Sequence, residues 1–205
     1  MSKIAVLGAG GMAREITETL MATGIKRELI SYYVDMEFLG IDNALTPLYD
    51  LEDICAQGEI IHAYIGLGEG ALRESLVNRL GAQVSYPKLI HPSSIVGQDC
   101  RIGIGTTIQQ FATLTAHVMI GDFAQVNIYA GVSHDCVIGD YFTASPKVMV
   151  SGHVRIGNHV FLGAACTILP GVSICDHVTV GAGAVVTNDI TEPGTYVGMP
   201  ARKIK

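Results

Sequence analysis

The chain has 205 residues, enough for one large domain or two small ones with a sizeable core. Its formal net charge is −6 and no run of lysine or arginine occurs, which excludes a basic surface for nucleic acid or anionic membrane and leaves small molecules as the expected partners. Glycine is abundant at 24 residues, tryptophan is absent and aromatics make up 6%, a composition suited to repeated turns and thin aliphatic cores.

The first residues, MSKIAVLGAG, lack the basic region, long apolar core and cleavage site of a signal peptide, so a cytoplasmic protein is expected. Lys3 to Leu7 reads as a strand that passes into Gly8-Ala9-Gly10-Gly11-Met12-Ala13 and then a helix carrying Ile16, Leu20 and Met21. The turn has the form G-x-G-x-x-A, where glycines let the backbone approach a phosphate at a helix N-terminus; alone, the match is weak. A second strand, Ile30 to Val34, ends at Asp35, which reads equally as an acceptor for a ribose or sugar hydroxyl and as a turn residue. Ile60 to Ile65 is a third strand running into Gly66-Leu67-Gly68. Glu69 to Leu80 reads as a helix with Leu72, Leu76 and Leu80 on one face, and Val84 to Tyr86 as a short fourth strand. Residues 1–88 thus form a small α/β domain, a Rossmann-like parallel sheet about half the size of a full dinucleotide-binding domain, and hydride transfer is not expected of it.

From Ile90 to Val186 every sixth residue is aliphatic, with Ala144 alone falling short in size. Neither a helix, near 3.6, nor a flat strand, at 2.0, explains a period of six. The residue two before each aliphatic is usually small or β-branched, as at Ala112, Val118, Val154 and Val172, so two positions in six face inward. Cys100, Cys136 and Cys166 occupy such positions and read as buried, reduced thiols. Gly97, Gly103, Gly121, Gly139, Gly157, Gly163 and Gly181 each follow a repeat aliphatic, where a corner with positive φ is expected. Three sides of six residues close a triangular coil of eighteen. The longest uncharged stretch, Val160 to Cys175, contains Pro170 and keeps the repeat, which marks solenoid coils and not a membrane span.

Residues eighteen apart then stack. His134 lies between Ala116 and Gly152, two minimal neighbours that leave open space beside the ring, and Asp135 lies between His117 and His153. Taken alone, His134 also reads as a surface histidine in a turn.

The hexad spacing resembles the hexapeptide-repeat acyltransferases, whose repeats build an all-β left-handed parallel β-helix, here residues 89–205. Val197-Gly198-Met199-Pro200-Ala201-Arg202 looks like the tail that closes many members. Ser133-His134-Asp135-Cys136-Val137-Ile138-Gly139-Asp140 is similar to the catalytic motif of one branch, the sialic acid O-acetyltransferases and UDP-amino-sugar N-acetyltransferases, in which a nucleotide-sugar domain precedes the β-helix. The resemblance implies that His134 is the general base toward an amine or hydroxyl, with Asp135 beside it stabilising the imidazolium. It places a backbone N–H at Gly152 for the oxyanion. It also implies a homotrimer with acetyl-CoA in a groove between two β-helices, at positions corresponding to Thr143, Gly152, Ala164 and Ala182, and no metal. A nucleotide-sugar would contact Gly10, Gly11, Met12, Asp35 and Gly66. Members often carry a histidine where this chain has Met12, which opens the choice of nucleotide. Lys147 and Arg155 read either as partners for CoA phosphates or as solvated cations, and the corner at Ala144, beside Thr143 and Pro146, is expected to face the thioester.

Two rivals come from other classes. His117 and His153 share a corner, which is similar to the γ-class carbonic anhydrases with their three zinc-binding histidines; the third position falls on Asn158, with His159 one step late. A non-catalytic β-helix binding protein is the other.

Overall fold

The computed structural model describes residues 4–39, 45, 47–57 and 61–205, with the backbone alone for 55–57. Lys3 and Ile60, expected to begin two strands, lie outside the described residues.

The N-terminal unit is a five-stranded parallel sheet of order β3-β2-β1-β4-β5. Its strands are β1 (Ile4–Leu7), β2 (Ile30–Val34), β3 (Leu48–Asp50), β4 (Ile61–Ile65) and β5 (Val84–Ser85), with α1 (Gly11–Ala22) after β1 and α2 (Gly70–Leu80) after β4. β3 was not expected: its three residues, Leu48-Tyr49-Asp50, are too short to show a period, and pairing with Tyr32 to Val34 is what makes them a strand. Gly66 sits under α1, where a Cβ would lie 2.7 Å from the Cα and Cβ of Ala13, and its N–H donates to Leu7 O at 2.8 Å. Its role is close packing of helix on sheet, which leaves no surface for the nucleotide contact expected of it.

The expected apolar face of α2 holds at Leu76 and Leu80 and fails at Leu72. Leu72 is exposed, and the face turned inward carries Arg73, Leu76, Val77 and Leu80. A charged residue at the head of that stripe was the available signal.

Seventeen short strands follow, from Leu89–Ile90 to Val185–Val186, one for each repeat aliphatic. Each pairs in parallel with the strand eighteen residues away, as Leu114 with Val132 and Val132 with Val150, so the coils stack in register and form three sheets. The two inward positions fill the prism: Ala124, Val126, Val148, Val150, Cys166 and Ile168 are all fully buried. Phe142 is buried two residues before Ala144, and its ring supplies the volume the alanine lacks.

Two expectations fail at the edges of this pattern. Ile90 and Val96 are 37% exposed and Cys100 is half-buried, because the first coil has a neighbour on one side only. At the other end the tail closes the prism: Gly194–Val197 extends a sheet by pairing with Val178–Val180, and Tyr196 and Ala201 pack on the core.

The corner glycines also differ. From Val96 to Val180 positive φ falls three residues past the repeat position, on Asp99, Phe111, His117, Asp135, His153 and their equivalents, not on the glycine directly after it. From Phe111 onward the left-handed conformation turns these N–H groups onto the preceding coil, as Asp135 N to Ala116 O at 3.1 Å, which offsets the cost of about 1 kcal/mol for a side chain there. The glycines meet a different demand. A Cβ on Gly121 would lie 2.2 Å from Asp140 Oδ1, and one on Gly139 would lie 2.4 Å from Asn158 Oδ1. Those oxygens accept from Asp122 N and Asp140 N, so the glycines make room for a ladder of Asx side chains linking the coils.

Candidate active site

The corner after Val132 carries His134 and Asp135. A Cβ on Gly152, in the next coil, would stand 2.7 Å from His134 Cε1 and 2.8 Å from Nε2, so the ring lies directly over that glycine as stacking predicts. His134 Nδ1 is 2.8 Å from Asp135 Oδ2. With the carboxylate ionised, the bond fixes a proton on Nδ1 and leaves the Nε2 lone pair free. That bond holds the Asp135 carboxyl below its ordinary range, with the nearby imidazoles of His153 and His117 adding to the effect.

His153 lies on the other side of the same carboxylate, Nδ1 to Asp135 Oδ2 at 3.8 Å, with its ring edge-to-face against His134 at 5.0 Å between centroids. Its backbone N–H donates to His134 O at 3.0 Å. Beneath the corner, the Cys136 thiol donates to Ser151 O at 3.1 Å, and burial pushes its pKa up. The corner is a column of alternating charge type, Asp99, His117, Asp135 and His153, one residue per coil. The three zinc-type histidines do not assemble: Asn158 Oδ1 accepts from Asp140 N, and His159 stacks between Tyr141 and His177 on another edge.

The remaining expected contacts fall in different places. Thr143 is 2% exposed, its hydroxyl bonded to Arg73 Nη2 at 2.9 Å and to Gly68 O at 3.2 Å, which leaves it no surface for a coenzyme. Thr143 meets the N-terminal unit and Ala144 faces the prism core, so the corner expected to face the thioester is buried there. Ala164 and Ala182 are exposed and stack on the edge that also carries Lys147, while Arg155 is exposed on the strand paired with Val137. In one chain that edge and the His134 edge are separate corners of the triangle.

In the N-terminal unit a cavity of about 350 Å³ opens at the C-terminal ends of β1 and β2, lined by Gly8, Gly10, Tyr33, Asp35, Phe38 and Leu51 among others. This is where an open parallel sheet takes a ligand. Asp35 is ion-paired with Arg79 at 2.5 Å, and Arg79 also bonds Glu52. Gly11 begins α1 at the exposed turn beside the cavity. Met12 sits at the junction of the two units, its sulfur 3.4 Å from Gln109 Nε2.

The residue the sequence reading missed is Arg73. It is 1% exposed and joins the units: Nε donates to Phe123 O at 2.9 Å, Nη1 to Gly68 O at 2.8 Å and Gln125 Oε1 at 3.3 Å, and Nη2 to Tyr141 O and Phe142 O at 2.8 and 2.9 Å. Burial pushes its pKa down to about 10, so it still carries its charge at neutral pH. On the same junction the carboxamide oxygens of Gln109 and Asn127, one coil apart, are buried with no hydrogen-bond partner among the described residues. No helix among the described residues is long and apolar enough to cross a membrane.

Residues 3–80 match the PglD N-terminal domain and residues 153–188 the hexapeptide repeat of succinyl-transferase, together more than half of the chain. The fold is similar to PerB from Caulobacter crescentus, solved with CoA and GDP-perosamine, at 27% identity and a TM-score of 0.90, covering 100% of this chain and 98% of that one. It is similar to the acetyltransferase domain of PglB from Neisseria gonorrhoeae FA1090, at 27% identity and 0.89, and to WeeI from Acinetobacter baumannii AYE, at 28% and 0.92, with full coverage of both chains in each case. A GDP-perosamine N-acetyltransferase of Escherichia coli O157:H7 is 44% identical over 46 residues, which span 22% of this chain and 21% of that relative. With the His134–Asp135 corner, the two matched regions and the likeness in fold over the whole length, the chain belongs to the hexapeptide-repeat sugar acetyltransferases, in which a PglD-type domain precedes a left-handed parallel β-helix.

Proposed function

We propose that this protein is an acetyl-CoA-dependent N-acetyltransferase acting on the amine of a nucleotide-linked sugar. Residues 1–88 hold the acceptor and residues 89–205 carry out the transfer. The single observation that carries the reading is His134 standing over Gly152 with its Nδ1 on Asp135, an oriented base beside a backbone N–H. The Gly152 N–H has no hydrogen-bond partner among the described residues and is the donor for the oxyanion. The amine attacks the thioester carbonyl, Nε2 of His134 takes the proton, Asp135 stabilises the imidazolium, and the proton then passes to the leaving thiolate.

Gly10 and Asp35 line the acceptor cavity, Gly11 follows Gly10 at the start of α1, and Met12 stands at the junction. The likeness to proteins solved with GDP-perosamine, and Met12 in place of a histidine, favour a guanosine over a uridine nucleotide. Ala164 and Ala182 serve CoA from a second chain of a homotrimer, since they stand on a different edge from His134 within one chain. The enzyme works in the cytoplasm, where acetyl-CoA and nucleotide sugars occur. The test is thiol release from acetyl-CoA against GDP-, UDP- and dTDP-linked amino sugars, their hydroxyl counterparts and sialic acids. Turnover confined to hydroxyl acceptors would reverse the amine assignment.

A further inference from the structure

An amino sugar near neutral pH arrives as an ammonium, and an ammonium gives up its proton only above about pH 8. It therefore presents two protons. One leaves with attack and is returned to the CoA thiolate by His134, but the other must reach solvent before the nitrogen has a lone pair. A hydroxyl acceptor has no such extra proton.

The site holds a second imidazole with no part in the transfer above. His153 shares Asp135 with His134, at 3.8 and 2.8 Å respectively. Its side chain is 66% exposed, and the position stacked beyond it is Gly171, where even a Cβ would meet nothing within 4 Å. The ring thus touches the catalytic pair on one side and water on the other. The ionisable groups on its corner are His134 and Asp135 in the preceding coil, then His117 and Asp99, paired at 4.0 Å, in the two before that; the following coil contributes none at Gly171.

We infer that His153 is the exit base of this site, which takes the first proton from the acceptor ammonium and passes it to solvent before attack. The inference rests on the amine reading above. R–NH3+ loses a proton to the His153 imidazole, giving R–NH2 and an imidazolium beside the Asp135 carboxylate, and the imidazolium releases that proton to water. The amine lone pair then forms the C–N bond, His134 accepts the remaining proton, and the C–S bond breaks as that proton reaches sulfur. One proton appears in solution per turnover.

The measurement is kcat/KM for the amino-sugar acceptor against pH in the wild type and in His153→Gln, with acetyl-CoA affinity as the check on the fold. Near pH 6.5, where the acceptor is an ammonium, the variant is expected to lose about tenfold or more. Near pH 9, where the amine is already neutral, the two should agree within about twofold. Added imidazole should restore His153→Ala at the lower pH, which no packing role would do. A loss equal at both pH values, or no loss at either, overturns the exit-base assignment. Failure of the underlying reading shows separately, as undiminished turnover by His134→Ala or as absence of turnover with any amine.

Discussion

His134 and Gly152 are one coil apart and in contact, with no room between the ring and the glycine for a single methyl group. Gly152→Ala would push the imidazole off its place over the Gly152 N–H while keeping the bond to Asp135 within reach. Because the clash is with a side chain and not with backbone, the melting temperature should change little. The expected result is a loss of about ten- to hundredfold in kcat, measured by thiol release, since orientation of the base is what is disturbed. His134→Ala should lose about 10²- to 10⁴-fold with acetyl-CoA binding retained.

Asp135 is held ionised by its bond to His134, its carboxyl pKa lying below the ordinary value. The negative charge is present at every pH above the lowered pKa and is lost only as pH falls through it. Through the neutral range it therefore stays an acceptor for the Nδ1 proton of His134 and keeps Nε2 free. Asp135→Asn removes the charge and can turn an N–H donor toward Nδ1, so the ring loses its orientation and kcat should fall about tenfold or more with acetyl-CoA binding retained. A kcat equal to the wild type's in thiol release would mean the carboxylate does not orient the ring.

Arg73 satisfies carbonyls from the Gly68 loop and from the β-helix with a single guanidinium. Arg73→Met fits the volume but strands several buried acceptors, and the expected cost exceeds about 3 kcal/mol in chemical denaturation. Arg73→Lys should recover only part of this, because one ammonium cannot match the planar fork.

Gly66→Ala tests a backbone contact. The added methyl would stand 2.7 Å from Ala13 Cα and Cβ, neither of which can swing aside. A destabilisation of about 1–3 kcal/mol is expected, together with weaker nucleotide binding as α1 is displaced from β1 and β4.

The thiols report on the prism itself. Burial raises the Cys136 pKa and pushes Cys166 up to about 12, and both are core residues. In the native protein near pH 8 they should resist alkylation and become reactive only on unfolding, whereas Cys100, at the open first coil, should label earlier. Mapping of the labelled peptides by mass spectrometry decides it.

The period of six determined the β-helix by itself, and with it the inward pairs, the eighteen-residue stack, His134 over Gly152 and Asp135 beside His153. A solenoid turns sequence separation into distance, so neighbours can be counted from the chain alone. Where the repeat stops, the count stops. Exposure of the first coil depends on what does not cover it, and the burial of Thr143 depends on which of three equivalent faces the N-terminal unit meets. Only the tertiary structure could decide that Arg73, and not Leu72, turns inward, that Asp35 is paired with Arg79, and that Gly66 serves helix packing. Each of these is a contact between segments with no shared period, where the geometry is set by packing and side-chain reach, and neither is written in residue spacing.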